Sequence, residues 1–317
     1  MRTVQLPHSD LQVSVLGLGC NSFGTRADRP AAFEILDRAF DAGVTLFDTA
    51  DMYGNGQSEE ILGEWLQGRR SRIVLTTKGG GAKNQPAPRG GSRDYLKSAL
   101  EASLRRLRTD YIDLYYVHYY DGETPDDETF GTLDHFKREG KIRAAAVSNY
   151  AAWQVCRTLC ASARHDLIRC SVVQASYSLV DRTAEIEMLP MCRAEDVGFY
   201  AFWPLGGGIL TGKYRPDAPP PPSSRVLTQP IFAQSVTSPR LEFAERVAAI
   251  ARDCGCSPAQ LALAWVLKRP GVTGALCGAT RAEQLTDNLG AIDVQLSDET
   301  MQQLEEMSAD ARRTPFR

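Results

Sequence analysis

Short apolar runs recur along this chain, each followed by a polar turn and then a segment of helical periodicity. That alternation is the strongest limit on what the chain can fold into. The runs are SVLGLG (14–19), TLFDTA (45–50), RIVLTTK (72–78), YIDLYYVH (111–118), IRAAAVSN (142–149), SVVQAS (171–176), GFYAFWPL (198–205) and VTGALCGA (272–279). Between them lie amphipathic segments such as PAAFEILDRAFDAG (30–43), SRDYLKSALEASLRRL (92–107) and DDETFGTLDHFKREG (126–140). AAWQVCRTLCASA (151–163), RLEFAERVAAIARDCG (240–255) and SPAQLALAWVLKR (257–269) continue the pattern. Ser92, Ser257 and Ser297 stand where N-caps belong, and Gly43, Gly140 and Gly255 where helices should close.

Strands separated by helices run parallel, with the helices as crossovers. Eight such strands close a barrel without edges in about 250 residues plus insertions. The expectation is therefore an α/β fold, a (β/α)8 TIM barrel forming a single domain over residues 1–317. An N-terminal β-hairpin precedes it in MRTVQLPHSDLQVSV, turning at His8-Ser9-Asp10. The competing architecture is a doubly wound open sheet with a nucleotide fingerprint in its first turn. The first run does end in Gly17-Leu18-Gly19, but Ser22 occupies the place of the third glycine. After Leu205 the rhythm breaks into GGGILTGKY and RPDAPPPPSSRVLTQP, whose prolines exclude regular helix and central strand. This long loop after the seventh strand reads as an ordered excursion over a barrel mouth.

Several function classes fall away on composition. A net charge of -3 leaves no basic footprint for nucleic acid, and no apolar run approaches the ~20 residues of a membrane span. The N-terminus alternates polar and apolar residues and has no signal-peptide core. The cysteines are scattered, without a CxxC pair. Cys156 and Cys160 lie four apart on a helix face, with no histidine or second pair to complete a metal site. Reduced thiols and a cytoplasmic location are expected, with no metal.

In such a barrel the catalytic groups gather at the carboxyl ends of the strands. The second run ends at Asp48, the third at Lys78, the fourth at His118 and the fifth at Ser148-Asn149. The sixth ends near Gln174 and the seventh near Phe202-Trp203, while Tyr53 follows Asp48 in a turn marked by Gly54-Asn55-Gly56. Each residue alone has an ordinary role: a loop-capping aspartate, a solvated lysine, a structural histidine. Together they have a chemical use. A carbonyl accepting hydride develops charge on oxygen and needs a proton donor beside it. A tyrosine hydroxyl can supply the proton, and a lysine cation would lower its usual pKa near ~10. An aspartate would hold the lysine, and a histidine would orient the carbonyl oxygen.

FDTADMYG with Asp48 and Tyr53, LTTKGG with Lys78 and DLYYVHYYD with His118 resemble the Asp-Tyr-Lys-His tetrad of the aldo-keto reductases. The resemblance continues through GKIRAAAVSNY, VVQASYSLVDR, PLGGGILTGKY and GALCGATRAEQLTDNLGAI, so it spans nearly the whole chain in order. It implies a barrel that binds NADPH without a Rossmann fingerprint, with Tyr53 as general acid, Lys78 and Asp48 tuning it, and His118 orienting the substrate. Ser148, Asn149 and Gln174 match the positions that hold the nicotinamide carboxamide, and Cys20-Asn21 should lie beside the ring. Phe202 falls where the family stacks an aromatic on the nicotinamide. Trp203 replaces the usual serine ahead of Pro204, Leu205 and Gly206, which removes a hydrogen bond. Lys213 and Arg225 match the phosphate-binding cations of the branch that includes potassium-channel beta subunits. Gly278, Thr280, Gln284, Asp287 and Asn288 match its adenosine site, with Arg281 as a further candidate. Two cations favour NADP(H) over NAD(H).

The substrate is expected to be a small-molecule carbonyl compound (aldehyde, ketone or sugar-derived), met by Tyr119 and Tyr120 and by loops around Arg26 and Lys83 to Gly91. A sugar-nucleotide keto or enoyl reductase is the alternative within enzymes, and a non-catalytic NADPH-binding regulatory subunit the alternative outside them. Short-chain dehydrogenase chemistry is excluded, because no tyrosine has a lysine four residues on. Oligomeric state is left open.

Overall fold

The computed structural model describes residues 1–81, 90–215, 218–222, 224–228, 233 and 236–312. Lys83 to Arg89 and parts of the proline-rich excursion (216–217, 223, 229–232 and 234–235) lie outside the described residues.

Strands β1 (Thr3–Gln5) and β2 (Gln12–Ser14) form an antiparallel hairpin, with Gln5 opposite Gln12. The eight parallel strands that follow are β3 (Leu16–Gly19), β4 (Leu46–Asp48), β5 (Val74–Gly79), β6 (Ile112–Val117), β7 (Ile142–Ser148), β8 (Cys170–Ser176), β9 (Gly198–Phe202) and β10 (Gly274–Gly278). They close in sequence order, the last pairing with the first. Each strand falls within or overlaps one apolar run. The runs are continuous rather than alternating because a parallel barrel strand is buried on both faces.

The barrel interior is filled by Leu46, Val74, Leu114, Tyr116, Ala144, Ala146, Val172, Tyr200 and Leu276. Leu6, Leu11 and Val13 of the hairpin join the same cluster, and the Tyr200 hydroxyl donates to the Ser14 carbonyl at 2.8 Å. The hairpin therefore plugs the amino end. Beside it the buried Asp113 carboxylate takes ion pairs from Arg70 and Arg143, both at 2.7 Å.

The helices that wrap the barrel bury their apolar stripes against the outer faces of the strands. Ser257 and Ser297 cap their helices, accepting from Gln260 N at 3.2 Å and Thr300 N at 3.1 Å. Ser92 holds the N-cap position without a side-chain bond. Gly43, Gly140 and Gly255 adopt φ of 78°, 72° and 66°, the left-handed ending that favours glycine. Helices Gln57–Trp65 and Met188–Ala194, not singled out from the sequence, are short and follow directly on turns.

At the carboxyl end the loop after β8 is pinned by Arg182, fully buried. Its guanidinium grips Glu185 with two bonds of 2.8 Å and donates to the Glu305 carbonyl at 2.9 Å and the Ser308 hydroxyl at 2.8 Å. Arg312 reaches the same Glu185 at 2.9 Å, so the C-terminal segment Ala309–Arg312 is tied to the barrel rim.

Candidate active site

Asp48 closes β4, and Lys78 projects inward from the neighbouring β5, as its parity with Val74 requires. The lysine is fully buried, and its ammonium donates to Asp48 Oδ2 at 2.6 Å, the Thr49 carbonyl at 2.8 Å and the Tyr53 hydroxyl at 3.4 Å. An ammonium has three N–H bonds, and all three are committed. Asp48 is held in turn, its Oδ1 accepting from Thr76 Oγ1 at 2.7 Å and Gln174 Nε2 at 3.0 Å.

Tyr53 reaches this pair on a tight turn. Its N–H donates to the Ala50 carbonyl at 3.1 Å, and Gly54 and Asn55 follow at φ 58° and 53°. A side chain on Gly54 would crowd the Phe23 carbonyl at 3.1 Å, so the glycine meets both a backbone and a space requirement. Burial pushes the Tyr53 hydroxyl pKa up. The Lys78 charge opposes this but does not reverse it, so the phenol is protonated in the free protein rather than tuned below its ordinary range. For Lys78 the largest influence, burial, favours the neutral amine, but Asp48 and Tyr53 outweigh it and the pKa rises. The lysine is a cation beside a phenol that carries its proton.

His118 follows β6, its ring edge-on to Tyr53 with centroids 6.0 Å apart and stacked on Tyr119 at 4.6 Å. Its Nδ1 is buried without a hydrogen-bond partner among the described residues. Burial, then the Lys78 charge, hold its pKa well below the usual 6.5, so the imidazole is neutral. The sign gives a prediction. As pH falls from about 8 through the ordinary histidine range, His118 stays uncharged and adds no inflection to the pH–rate profile. A step near 6.5 that disappears in His118→Asn contradicts this state.

These groups open into a cavity of about 600 Å³ that runs from the carboxyl ends of the strands across to helix Ala282–Leu289. Of the residues singled out in the sequence, Asn21, Asp48, Tyr53, His118, Tyr119, Ser148, Asn149, Gln174, Phe202, Trp203, Pro204, Leu205, Lys213, Arg225, Gly278, Thr280, Arg281, Gln284, Asp287 and Asn288 line it. Lys78 lies beneath the surface, behind Asp48. Cys20 does not reach the cavity; it is fully buried in the wall, where the Ser58 hydroxyl donates to its carbonyl at 2.8 Å. Gly206 also stays out, because it packs on Val180, and Gly207 and Gly208 form the lining instead. Tyr120 turns away toward Tyr150 and Trp153, with ring centroids at 5.1 and 5.9 Å.

Asn149 and Trp203, just past the ends of β7 and β9, have φ of 59° and 52°. Left-handed backbone costs a bulky residue roughly 1–2 kcal/mol. At Trp203 it brings the indole edge-on to Phe202, with centroids at 5.3 Å and planes at 85°. Met52, Thr211 and Ala259 line the cavity without a prior signal in the sequence, and so does Arg26, which had been assigned to a specificity loop. The Arg26 turn is bolted to the neighbouring end of β10: its N–H donates to the Ser22 carbonyl at 2.9 Å, and Ser22 Oγ donates to the Ala279 carbonyl at 2.6 Å. Burial, then Arg225, Arg26 and Arg281, lower the Lys213 pKa, and burial and Arg26 lower that of Arg225 to about 10. Like charges crowded into one cleft mark a seat for a polyanion. At its far end Gln284 Oε1 accepts from Thr280 N at 2.9 Å and Thr280 Oγ1 at 3.0 Å. Among the described residues no cluster could hold a metal, and no helix is long and apolar enough to cross a membrane.

A closed parallel barrel with this acid–base constellation at its carboxyl end and an anion cleft beside it defines a (β/α)8-barrel oxidoreductase. The chain belongs to the aldo/keto reductase family, which residues 15–309 match. It is 35% identical to an uncharacterised oxidoreductase, YrpG, of Bacillus subtilis, over 97% of this chain and 96% of that protein. It is 34% identical to an aldo-keto reductase of Schizosaccharomyces pombe named for NADP(+), over 93% and 88% of the two chains. It is also 35% identical to a probable voltage-gated potassium channel subunit beta of Arabidopsis thaliana, over 93% and 92%.

Proposed function

We propose that this protein, acting as one barrel domain, reduces an aldehyde, ketone or sugar-type carbonyl with NADPH, and that Tyr53 is the general acid. The observation that carries the reading is the Lys78 ammonium, anchored by Asp48 and Thr49 and with its remaining N–H on the Tyr53 hydroxyl. NADPH, when bound, supplies hydride to the carbonyl carbon. The residues do the rest. Tyr53 transfers its proton to the carbonyl oxygen, and the phenolate left behind faces a cation that cannot turn away, which lowers the barrier electrostatically. Neutral His118 offers a second donor to the same oxygen.

The cleft fits the cofactor. Ser148, Asn149 and Gln174 border the tetrad, where a carboxamide needs donors and acceptors, and Phe202 offers a ring face. Lys213, Arg225, Arg281 and Arg26 suit the phosphates, and Thr280, Gln284, Asp287 and Asn288 suit the adenosine end. The NADP(+) in the yeast relative's name agrees with that charge. Removing Lys213 and Arg225 together, each as alanine, is expected to weaken NADPH binding by about 10-fold or more, since hydrogen bonds to charged groups are worth roughly 1.5–3 kcal/mol. NADH should weaken much less. Fluorescence titration with both nucleotides measures this, and equal losses remove the basis for the NADPH assignment.

The plant relative's name raises a regulatory role, but the complete tetrad including His118 favours catalysis. Purified protein with NADPH and a broad panel of aldehydes decides between them. Loss of NADPH absorbance on addition of aldehyde is expected, and tight binding without turnover overturns the enzymatic reading.

A further inference from the structure

A second polar cluster lies behind the tetrad, on the outer face of β5. Lys78 and Thr76 point into the barrel, whereas Thr77 points out and donates to Glu59 at 2.5 Å. Glu59 is fully buried and ion-paired with Arg106, whose Nη2 lies 2.6 Å from its carboxylate. Asp51 joins the two sides. Its N–H donates to the Lys78 carbonyl at 3.1 Å, and it sits in the turn between Asp48 and Tyr53. Its Oδ1 is enclosed without a hydrogen-bond partner among the described residues, as is the Tyr115 hydroxyl. That hydroxyl lies under the end of β5, where a Cβ on Gly79 would stand only 2.2 Å from it. Buried polar atoms are rarely left without a partner, and those that are call for an explanation.

Burial, then the Glu59 charge, raise the Asp51 pKa from 3.8 to about 7, against the pull of Arg106, the Met52 N–H and Lys78. The other groups facing it are Tyr95 and Tyr115, whose hydroxyls are also pushed up by burial and then by Asp51. Between pH 3.8 and about 7 the native state holds a proton that the unfolded chain releases, so stability falls as pH rises through that window. Strain of this kind gathers where function uses it.

We propose that Asp51 is a positioning residue for the general acid: wedged between the strand that carries Lys78 and the buried Glu59–Arg106 pair, its carboxyl sets the turn that delivers Tyr53 to the ammonium. In the neutral state the carboxyl carries no charge to oppose that of Glu59, and the turn is closed. In the ionised state two carboxylates repel across the turn, and the Tyr53 hydroxyl moves off Lys78. The inference rests on Tyr53 being the acid for its catalytic meaning, but its geometric content can be read without turnover.

The test uses the full-length protein labelled with [13Cζ]tyrosine, with the Tyr53 resonance assigned by its loss in Tyr53→Phe. In the wild type that resonance is expected to shift with pH, with a midpoint about 7, and the shift should be absent in Asp51→Asn. Asp51→Asn should also melt higher than wild type at neutral pH and flatten the fall of turnover between about pH 6 and 8. Asp51→Ala should reduce kcat by about 10-fold to 100-fold, the range of a sub-ångström to 1 Å displacement, with the Kd for NADPH unchanged. A Tyr53 resonance indifferent to pH and to Asp51→Asn overturns the positioning role, whatever the activity shows. A resonance that moves as expected while Tyr53→Phe keeps full turnover leaves the positioning intact and removes the acid assignment instead.

Discussion

Tyr53→Phe should lower carbonyl reduction by about 10²–10⁴-fold, the range for a positioned general acid, with NADPH affinity near that of the wild type. The phenyl ring keeps the edge-on packing against His118 and loses only the oxygen that accepts from Lys78. The loss should appear in kcat and in kcat/KM alike, because the proton is transferred only in the transition state. Single-turnover mixing of the NADPH complex with aldehyde isolates that step from product release. Unchanged single-turnover rates would remove Tyr53 from the chemistry and shift attention to His118 as the proton donor. Tyr53 is also buried with a raised pKa. The mechanism proposed for Tyr53 therefore does not depend on a phenol that ionises easily before substrate arrives. It depends on a cation already in place when the phenolate forms, which is preorganisation rather than acidity.

Arg182→Ala should be the most destabilising single substitution at the barrel rim. It removes the guanidinium donors to the Glu305 carbonyl and to the Ser308 hydroxyl, which keeps its own bond to the Leu304 carbonyl, and it removes the bidentate partner of Glu185. Breaking a buried ion pair from one side costs about 3–5 kcal/mol. Arg269 and Arg312 still reach Glu185 and limit the damage to the lower part of that range. A fall in melting temperature of about 10 °C follows at the scale of roughly 2–4 °C per kcal/mol. Scanning fluorimetry at a fixed heating rate measures it. Arg182→Lys should recover only part of the loss, since an ammonium cannot reproduce the two-pronged grip. A melting temperature within a degree or two of the wild type for Arg182→Ala would show that the C-terminal segment is held by other contacts.

The barrel and the tetrad were legible in the sequence for a physical reason. A strand covered on both faces is mostly apolar, with polar side chains inside it only where a buried partner holds them, so an ionisable residue at its end stands out, and in a barrel those ends converge. Asp48, Lys78 and His118 therefore announce both their strands and their meeting point. Residues whose role depends on what the fold brings beside them were not legible. Asp51 looks like any solvated acid until its Oδ1 is found enclosed and the charge of the fully buried Glu59, on the next helix, is found to act on it. Arg182, in the polar string VDR, looks like a surface charge, yet it is one of the largest fully buried side chains. Arg26 sits more than two hundred positions from Arg281, and only the closure of β10 on β3 puts both in one cleft. The backbone of Trp203 could not be foreseen either, since nothing in FWPL signals a left-handed residue.

That closure gives the cation cleft a further meaning. Lys213 and Arg225 follow β9, Arg281 follows β10 and Arg26 follows β3, three neighbours on the circle that includes the join between the first and last barrel strands. Backbone pairing along this arc is uneven: β9 and β10 share two residue pairs, whereas β10 and β3 share four. Four positive side chains above the two-pair join of β9 and β10 repel one another, and a bound polyanion would relieve that repulsion. The phosphates of the cofactor would then act as a clasp on the fold itself. Bound nucleotide would then hold the ring closed, and its removal would loosen the barrel first between β9 and β10.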